Sequence, residues 1–230
     1  MPETILEPDL PIVDPHHHLW DRPTEILRNL PPSDHGFMDI IRNTPRYLLD
    51  QLLADLKSGH NIRGTIYMEC GAMYRADGPE TLRCVGETEF VNGIAAMTAS
   101  GLYGDLRACA GIVGHVDLRS GAAAEDVLRS HIAAGHGRFR GIRQSASYDE
   151  DPNVLGPLHG RVPPGLYRDG KFREGFAVLR KLGLRDRVQA VVFSYDVGAF
   201  TTDPKGPPTE ADVAKAATRL YFRVQGHPPP

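Results

Sequence analysis

Short apolar runs of strand-like composition alternate along this chain with stretches of helical spacing, and that order limits the available folds more than any single residue does. Pro11 to Asp14 is an apolar run ending in Asp-Pro. The residue before a proline is pushed toward extended geometry, so a strand is predicted there. Ile62 to Cys70 alternates and is rich in β-branched side chains, while Ala108 to Val116 is almost continuously small and apolar, the pattern of a strand buried on both faces. Phe139 to Ile142 and Val188 to Phe193 supply a fourth and a fifth strand. Between them, helices are predicted over Pro45 to Lys57, with Thr44 as N-cap and Pro45 at the first position, and over Thr88 to Ser100 through Phe90, Val91, Ile94 and Met97. Two more are predicted, over Gly121 to Ala134 through Val127, Leu128 and Ile132, and over Lys171 to Leu182 through Phe172, Phe176 and Leu179. Strand and helix in alternation is the signature of an α/β protein with a parallel sheet.

The intervening text is uneven. From Asp21 to Thr44 it is rich in Pro, Asp, Asn and Arg, a long loop in which Met38 to Ile41 has the spacing of one helical turn. After Tyr195 a proline-rich linker over Thr201 to Pro208 leads to a further helix over Glu210 to Tyr221 and a loose tail from Gly226. About five βα units fall short of the eight in a closed (β/α) barrel.

Composition removes several functional classes. The net charge of -3, without a lysine or arginine block, leaves no electrostatic footprint for nucleic acid or an anionic membrane. No apolar stretch approaches the roughly 18–20 residues of a membrane span. The first residues lack the basic segment and apolar run of a secretory signal, so a cytoplasmic location is expected. Cys70, Cys84 and Cys109 are odd in number and irregular in spacing, which fits neither a disulfide framework nor a zinc ribbon, and they are expected to be reduced and structural. Motifs for a serine nucleophile elbow, a phosphate-binding loop and a dinucleotide fingerprint are absent.

The chemistry concentrates in Asp14-Pro15-His16-His17-His18-Leu19-Trp20-Asp21. In extended backbone alternate side chains share a face, so His16 and His18 are expected to point one way into a cleft and His17 the other. Two imidazoles on one face suit a divalent metal, and a catalytic zinc site needs at least one ligand more. The triplet sits at the carboxyl end of the first strand, where open α/β folds and barrels place their sites. At the same end of the next three strands lie Glu69, His115 and Arg143, which a parallel sheet brings to one rim. Arg143 is suited to holding a carboxylate or polarising an ester carbonyl, or else to an ion pair with Asp149 or Glu150. Glu69 reads equally as a ligand, a general base or a polar strand end. His115, in a small apolar strand, reads as a hydrogen-bonded structural histidine.

The segment IVDPHHHLWD resembles the opening strand of the amidohydrolase superfamily, in particular the amidohydrolase-related group of TIM-barrel metal-dependent hydrolases that includes sugar lactonases. The resemblance continues through RYLLDQLLADLKSGHNIRGTIYMECGAMYRADGPE, VGETEFVNGIAAM, CAGIVGHVDL, RFRGIRQSASYD and PPGLYRDGKFREGFAVLRKLGL, covering about residues 12–184. It implies an incomplete (β/α) TIM-type barrel over residues 1–195, followed by a divergent helix and tail over 196–230. It also implies a divalent metal, zinc or manganese, on His16 and His18, with water activated to open a lactone or a related ester or amide. Arg143, with Glu69 beside it, is similar to that group's substrate-orienting arginine; no residue is assigned as catalytic. A small-molecule substrate is expected, with neither nucleic acid nor membrane as partner. A metal-dependent decarboxylase of the same superfamily and an inactive barrel fragment or binding module are the alternatives. Beyond Leu184 the sequence departs from the group's pattern: the only histidine after His159 is His227, and the late acidic motif is missing. An incomplete barrel has open parallel edges, so self-association or a homo-oligomer is expected.

Overall fold

The computed structural model describes residues 4–30, 32 and 35–186. Its strands are β1 (Ile12–His17), β2 (Trp20–Asp21), β3 (Arg46–Tyr47), β4 (Ile62–Met68), β5 (Arg107–Gly114), β6 (Phe139–Ile142) and β7 (Arg185–Asp186). Its helices are α1 (Thr24–Arg28), α2 (Gly36–Asn43), α3 (Leu49–Leu56), α4 (Val85–Ala99), α5 (Ala124–Ala134), α6 (Pro152–Leu155) and α7 (Gly170–Lys181). The main sheet has the order β1-β4-β5-β6-β7 with every pairing parallel, and β2 pairs antiparallel with β3 in a separate two-stranded sheet. The expected mixed α/β architecture with a parallel sheet is therefore present.

Of the inner strands of the sheet, β5 is apolar on both faces, as its near-continuous run predicted, while β4 and β6 carry Thr65 and Arg140 among their apolar residues. One face, with Tyr67, Ala108, Ile112 and Phe139, packs with Leu52, Val91, Leu128 and Leu179 of α3, α4, α5 and α7. The other carries Ile66, Met68 and Val113 with Val13 against them. Consecutive strand residues alternate between these clusters, Ile66 and Met68 on one side and Tyr67 on the other, as the pleat requires. Burying side chains of this size contributes roughly 1.5–3 kcal/mol each.

Two expectations need correction. The helix predicted from Pro45 starts at Leu49, because Arg46 and Tyr47 pair with Asp21 and Trp20 and the Tyr47 ring stacks on Trp20 at 5.4 Å. The helix start is then satisfied by Gln51, whose side-chain oxygen accepts the Leu48 N–H at 2.9 Å. The loop predicted over Asp21 to Thr44 contains α1 and the two-turn helix α2. β7 pairs with β6 through Arg185 opposite Gly141. The strand predicted over Val188 to Phe193, the linker, the helix over Glu210 to Tyr221 and the boundary at 195/196 lie outside the described residues. Among the described residues no helix is long and apolar enough to cross a membrane.

Candidate metal and substrate site

The histidine triplet owes its geometry to the proline in front of it. Pro15 has no N–H to give to the ladder, and the pairing of β1 with β4 shifts register between Asp14 and His17. Asp14 fills the gap: its Oδ1 accepts the His16 N–H at 3.0 Å, a local side-chain turn. His17 enters the core, with Nε2 2.8 Å from Thr65 Oγ1 and its ring 5.7 Å from that of Tyr67. Burial pulls its pKa down to about 4, so it is neutral at pH 7. His16 and His18 turn to the opposite side, as the alternation predicted.

There the two rings meet edge to face, 4.8 Å between centroids, with their Nε2 atoms 3.1 Å apart. His18 Nδ1 lies 2.8 Å from the Met68 carbonyl. A carbonyl only accepts, so Nδ1 carries the proton and Nε2 presents a lone pair toward His16. Burial holds the His18 pKa below its ordinary value, with the Arg143 charge acting in the same direction, which keeps that lone pair available. A backbone carbonyl fixing the tautomer from behind is the usual support of a metal-binding histidine. Two Zn–N bonds of about 2.0–2.1 Å opening at roughly 100° place their nitrogens about 3.1 Å apart, so the pair fits a single divalent ion. Among the described residues, no three His, Cys, Asp or Glu side chains are gathered as a metal site.

The rim is built by the ladder running one residue beyond each strand end. Glu69 N–H donates to Val113 O at 2.8 Å and Arg143 N–H to Gly114 O at 2.9 Å, which brings residues 69, 115 and 143 level. Arg143 Nε donates to Glu69 Oε1 at 2.7 Å, and Nη2 donates to the Glu69 carbonyl. Its Nη1 reaches to 3.5 Å from His16 Nε2. The ion-pair partner of Arg143 is thus Glu69 rather than Asp149 or Glu150, and the pair stands against the histidines. His115 is hydrogen-bonded as expected, with Nδ1 3.3 Å from the Arg143 carbonyl, but it is half-buried at the rim. His16 also lines a cavity of about 360 Å³ with Asp14, Tyr47, Asp55 and His60, near the small end of ligand-sized spaces. Glu69, His115 and Arg143 lie outside its lining.

Behind the rim are buried polar side chains that the sequence reading passed over. Glu87 of α4 reaches the turn after β4, where its Oε1 accepts from Cys70 N at 2.8 Å, Ala72 N at 3.0 Å and the Tyr67 hydroxyl at 2.8 Å. Its Oε2 is buried without a partner, and burial raises its pKa despite the three donors. His131 of α5 donates from Nε2 to the His115 carbonyl at 3.0 Å, takes the Thr88 hydroxyl on Nδ1 at 2.8 Å and stacks on Phe139 at 4.9 Å. Burial lowers its pKa to about 4. The signal was available: Glu87 and Thr88 share the buried stripe of α4 with Val91, Ile94 and Ala95, and His131 shares that of α5 with Val127 and Leu128. A polar residue at a core-facing helical position has to find partners. Cys84 and Cys109 are buried and Cys70 half-buried, all as free thiols, with burial raising Cys70 and Cys84 to about 11.

No protein-family model matches the chain, and no solved structure matches it. It is similar to a protein of Sinorhizobium fredii designated uncharacterized protein y4mH, at 31% identity over 180 residues, 76% of this chain and 52% of that protein. The chain thus spans about half the length of that relative.

Proposed function

We propose that this chain carries the metal-binding end of a metal-dependent hydrolase of the amidohydrolase type, built as a partial (β/α) barrel and acting on a lactone or a related ester or amide. The observation that carries the reading is the convergence of His16 and His18 Nε2 at 3.1 Å, with the His18 tautomer set by the Met68 carbonyl. His16 and His18 would hold a zinc or manganese ion, which when bound would supply an activated water at neutral pH. Arg143 stands beside the histidines with one edge committed to Glu69, and the Nη1 edge turned toward His16 serves to orient a carbonyl or carboxylate oxygen of the substrate. Glu69 holds the guanidinium and balances its charge. Open sheet edges, in the same reading, are covered by self-association.

Elemental analysis of freshly purified protein beside a His16→Ala, His18→Ala variant tests the reading. Near-stoichiometric zinc or manganese lost in the variant, with ring opening in a lactone screen, is the expected result. Carbon dioxide release in place of ring opening would move the activity to a decarboxylase, and no metal in either protein would leave an inactive fragment.

A further inference from the structure

Arg22, four residues beyond His18, is a half-buried guanidinium without an acid. Among the described residues no carboxylate lies within ion-pairing distance of it, although eight other basic side chains have one. Its side chain makes one long contact, Nη1 to the Thr44 carbonyl at 3.4 Å, out of five N–H donors. It is nonetheless held in place. Its backbone N–H donates to Pro45 O at 2.8 Å, and its Cζ sits 4.9 Å from the centre of the Trp20 ring. That ring is itself fixed by Nε1–H donating to Thr44 O at 2.7 Å and by stacking on Tyr47. Burial lowers the Arg22 pKa, the mark of a cation that has lost water without gaining a counter-charge. Tyr47, on which Trp20 stacks, lines the same cavity as His16, so the Arg22–Trp20 pair stands on the side of the histidines. Arg143, by contrast, is already balanced by Glu69.

A partly desolvated arginine with its face on an aromatic ring keeps its edge for in-plane hydrogen bonding, and a planar carboxylate matches that fork. We propose that Arg22 is an oxyanion subsite beside the histidine pair, so that the molecule this site takes carries a carboxylate. The substrate class rests on the hydrolase reading; the subsite itself does not. It favours an acid-bearing lactone or ester over a neutral sugar lactone.

Trp20 is the only tryptophan of the chain and lies against Arg22, so its emission reports on the subsite directly. The experiment titrates full-length protein with malonate, with neutral malonamide and with inorganic phosphate at constant ionic strength, with and without zinc, in wild type, Arg22→Gln, Arg22→Lys and the His16→Ala, His18→Ala variant. Expected is saturable malonate quenching in wild type, no saturation with malonamide, and affinity at least about tenfold weaker in Arg22→Gln, as loss of a charge-assisted pair implies. Arg22→Lys, which keeps the charge and loses the fork, should fall between them. Equal malonate affinity in wild type and Arg22→Gln overturns the proposal, as does no saturable malonate binding by wild type. Tighter binding of phosphate than malonate overturns the carboxylate assignment. Should wild type bind no more zinc than the double histidine variant while malonate affinity still depends on Arg22, the hydrolase reading fails and the subsite stands.

Discussion

Replacing Glu87 tests how the rim is held. Its Oε1 receives three donors, two of them backbone N–H groups of the turn that follows Glu69. Leucine at this position fills similar space and leaves the two backbone donors without an acceptor, the Tyr67 hydroxyl keeping only the Cys70 sulfur at 3.5 Å. An unsatisfied buried donor costs about 1–3 kcal/mol, so the gross loss from the two amides is on the order of 2–6 kcal/mol. Release from burying a carboxylate with a bare Oε2 offsets part of that, giving a net destabilisation of about 2–4 kcal/mol for Glu87→Leu. Glu87→Gln keeps an acceptor oxygen and removes the charge, and should lie within about 1 kcal/mol of wild type at pH 7. The two also differ in pH dependence. The folded-state pKa of Glu87 is raised above its ordinary 4.5, so the folded protein holds the proton more tightly than the unfolded chain does. The charged form is a cost above the folded pKa, and that cost is relieved as pH falls from there toward 4.5. Wild type should therefore gain on Glu87→Gln over that window. Urea denaturation followed by circular dichroism at pH 7 and pH 5 gives the energies, and amide hydrogen exchange at Cys70 and Ala72 reports the turn. If Glu87→Leu unfolds within 0.5 kcal/mol of wild type, or leaves those two amides equally protected, the clamp is not what orders the rim.

Removing Arg143 should strengthen metal binding while weakening substrate binding. Arg143→Gln takes a cation from 3.5 Å beside His16 Nε2 and releases the Glu69 carboxylate as a further ligand, so zinc affinity should rise several-fold; isothermal titration with zinc checks it, and a fall would count against the placement. His131, with its folded pKa lowered to about 4 by burial, contributes stability that is complete above its ordinary 6.5 and lost as pH falls toward 4. Wild type should lose up to about 3 kcal/mol from this group across that window, and His131→Gln should flatten the measured stability curve there.

The sheet was legible through β5, which is buried on both faces and reads as an unbroken apolar run, and through the β-branched alternation of β4. The helix faces were read in part: Val91 and Ile94 of α4, Val127 and Leu128 of α5 and Phe172 and Leu179 of α7 are buried as expected. In α4, however, Met97 is 43% exposed and the buried line also runs through Glu87, Thr88 and Ala95. In α7 Phe176 was expected inside, but Gly175 faces the core, because a Cβ there would stand 2.3 Å from the Leu118 carbonyl. Hydrophobic spacing assigns a side by counting apolar residues. It misses sides where a glycine permits close approach or a carboxyl or imidazole serves backbone groups. The histidine pair was legible from the period of two alone. The Glu69–Arg143 pairing was not, since both candidate acids for Arg143 were sought nearby in sequence and its partner lies 74 positions away.

In the main sheet the spatial order of strands is also their order in the chain, β1, β4, β5, β6 and then β7. On the ribosome this means that each strand emerges after the neighbour it will pair with, and nothing already placed has to part to admit it. The sheet can lengthen at one edge at the pace of synthesis. His16, His18, Glu69, His115 and Arg143 all lie on β1, β4, β5, β6 or the residues just after them, so these five side chains can take their places at the rim once Arg143 has cleared the exit tunnel.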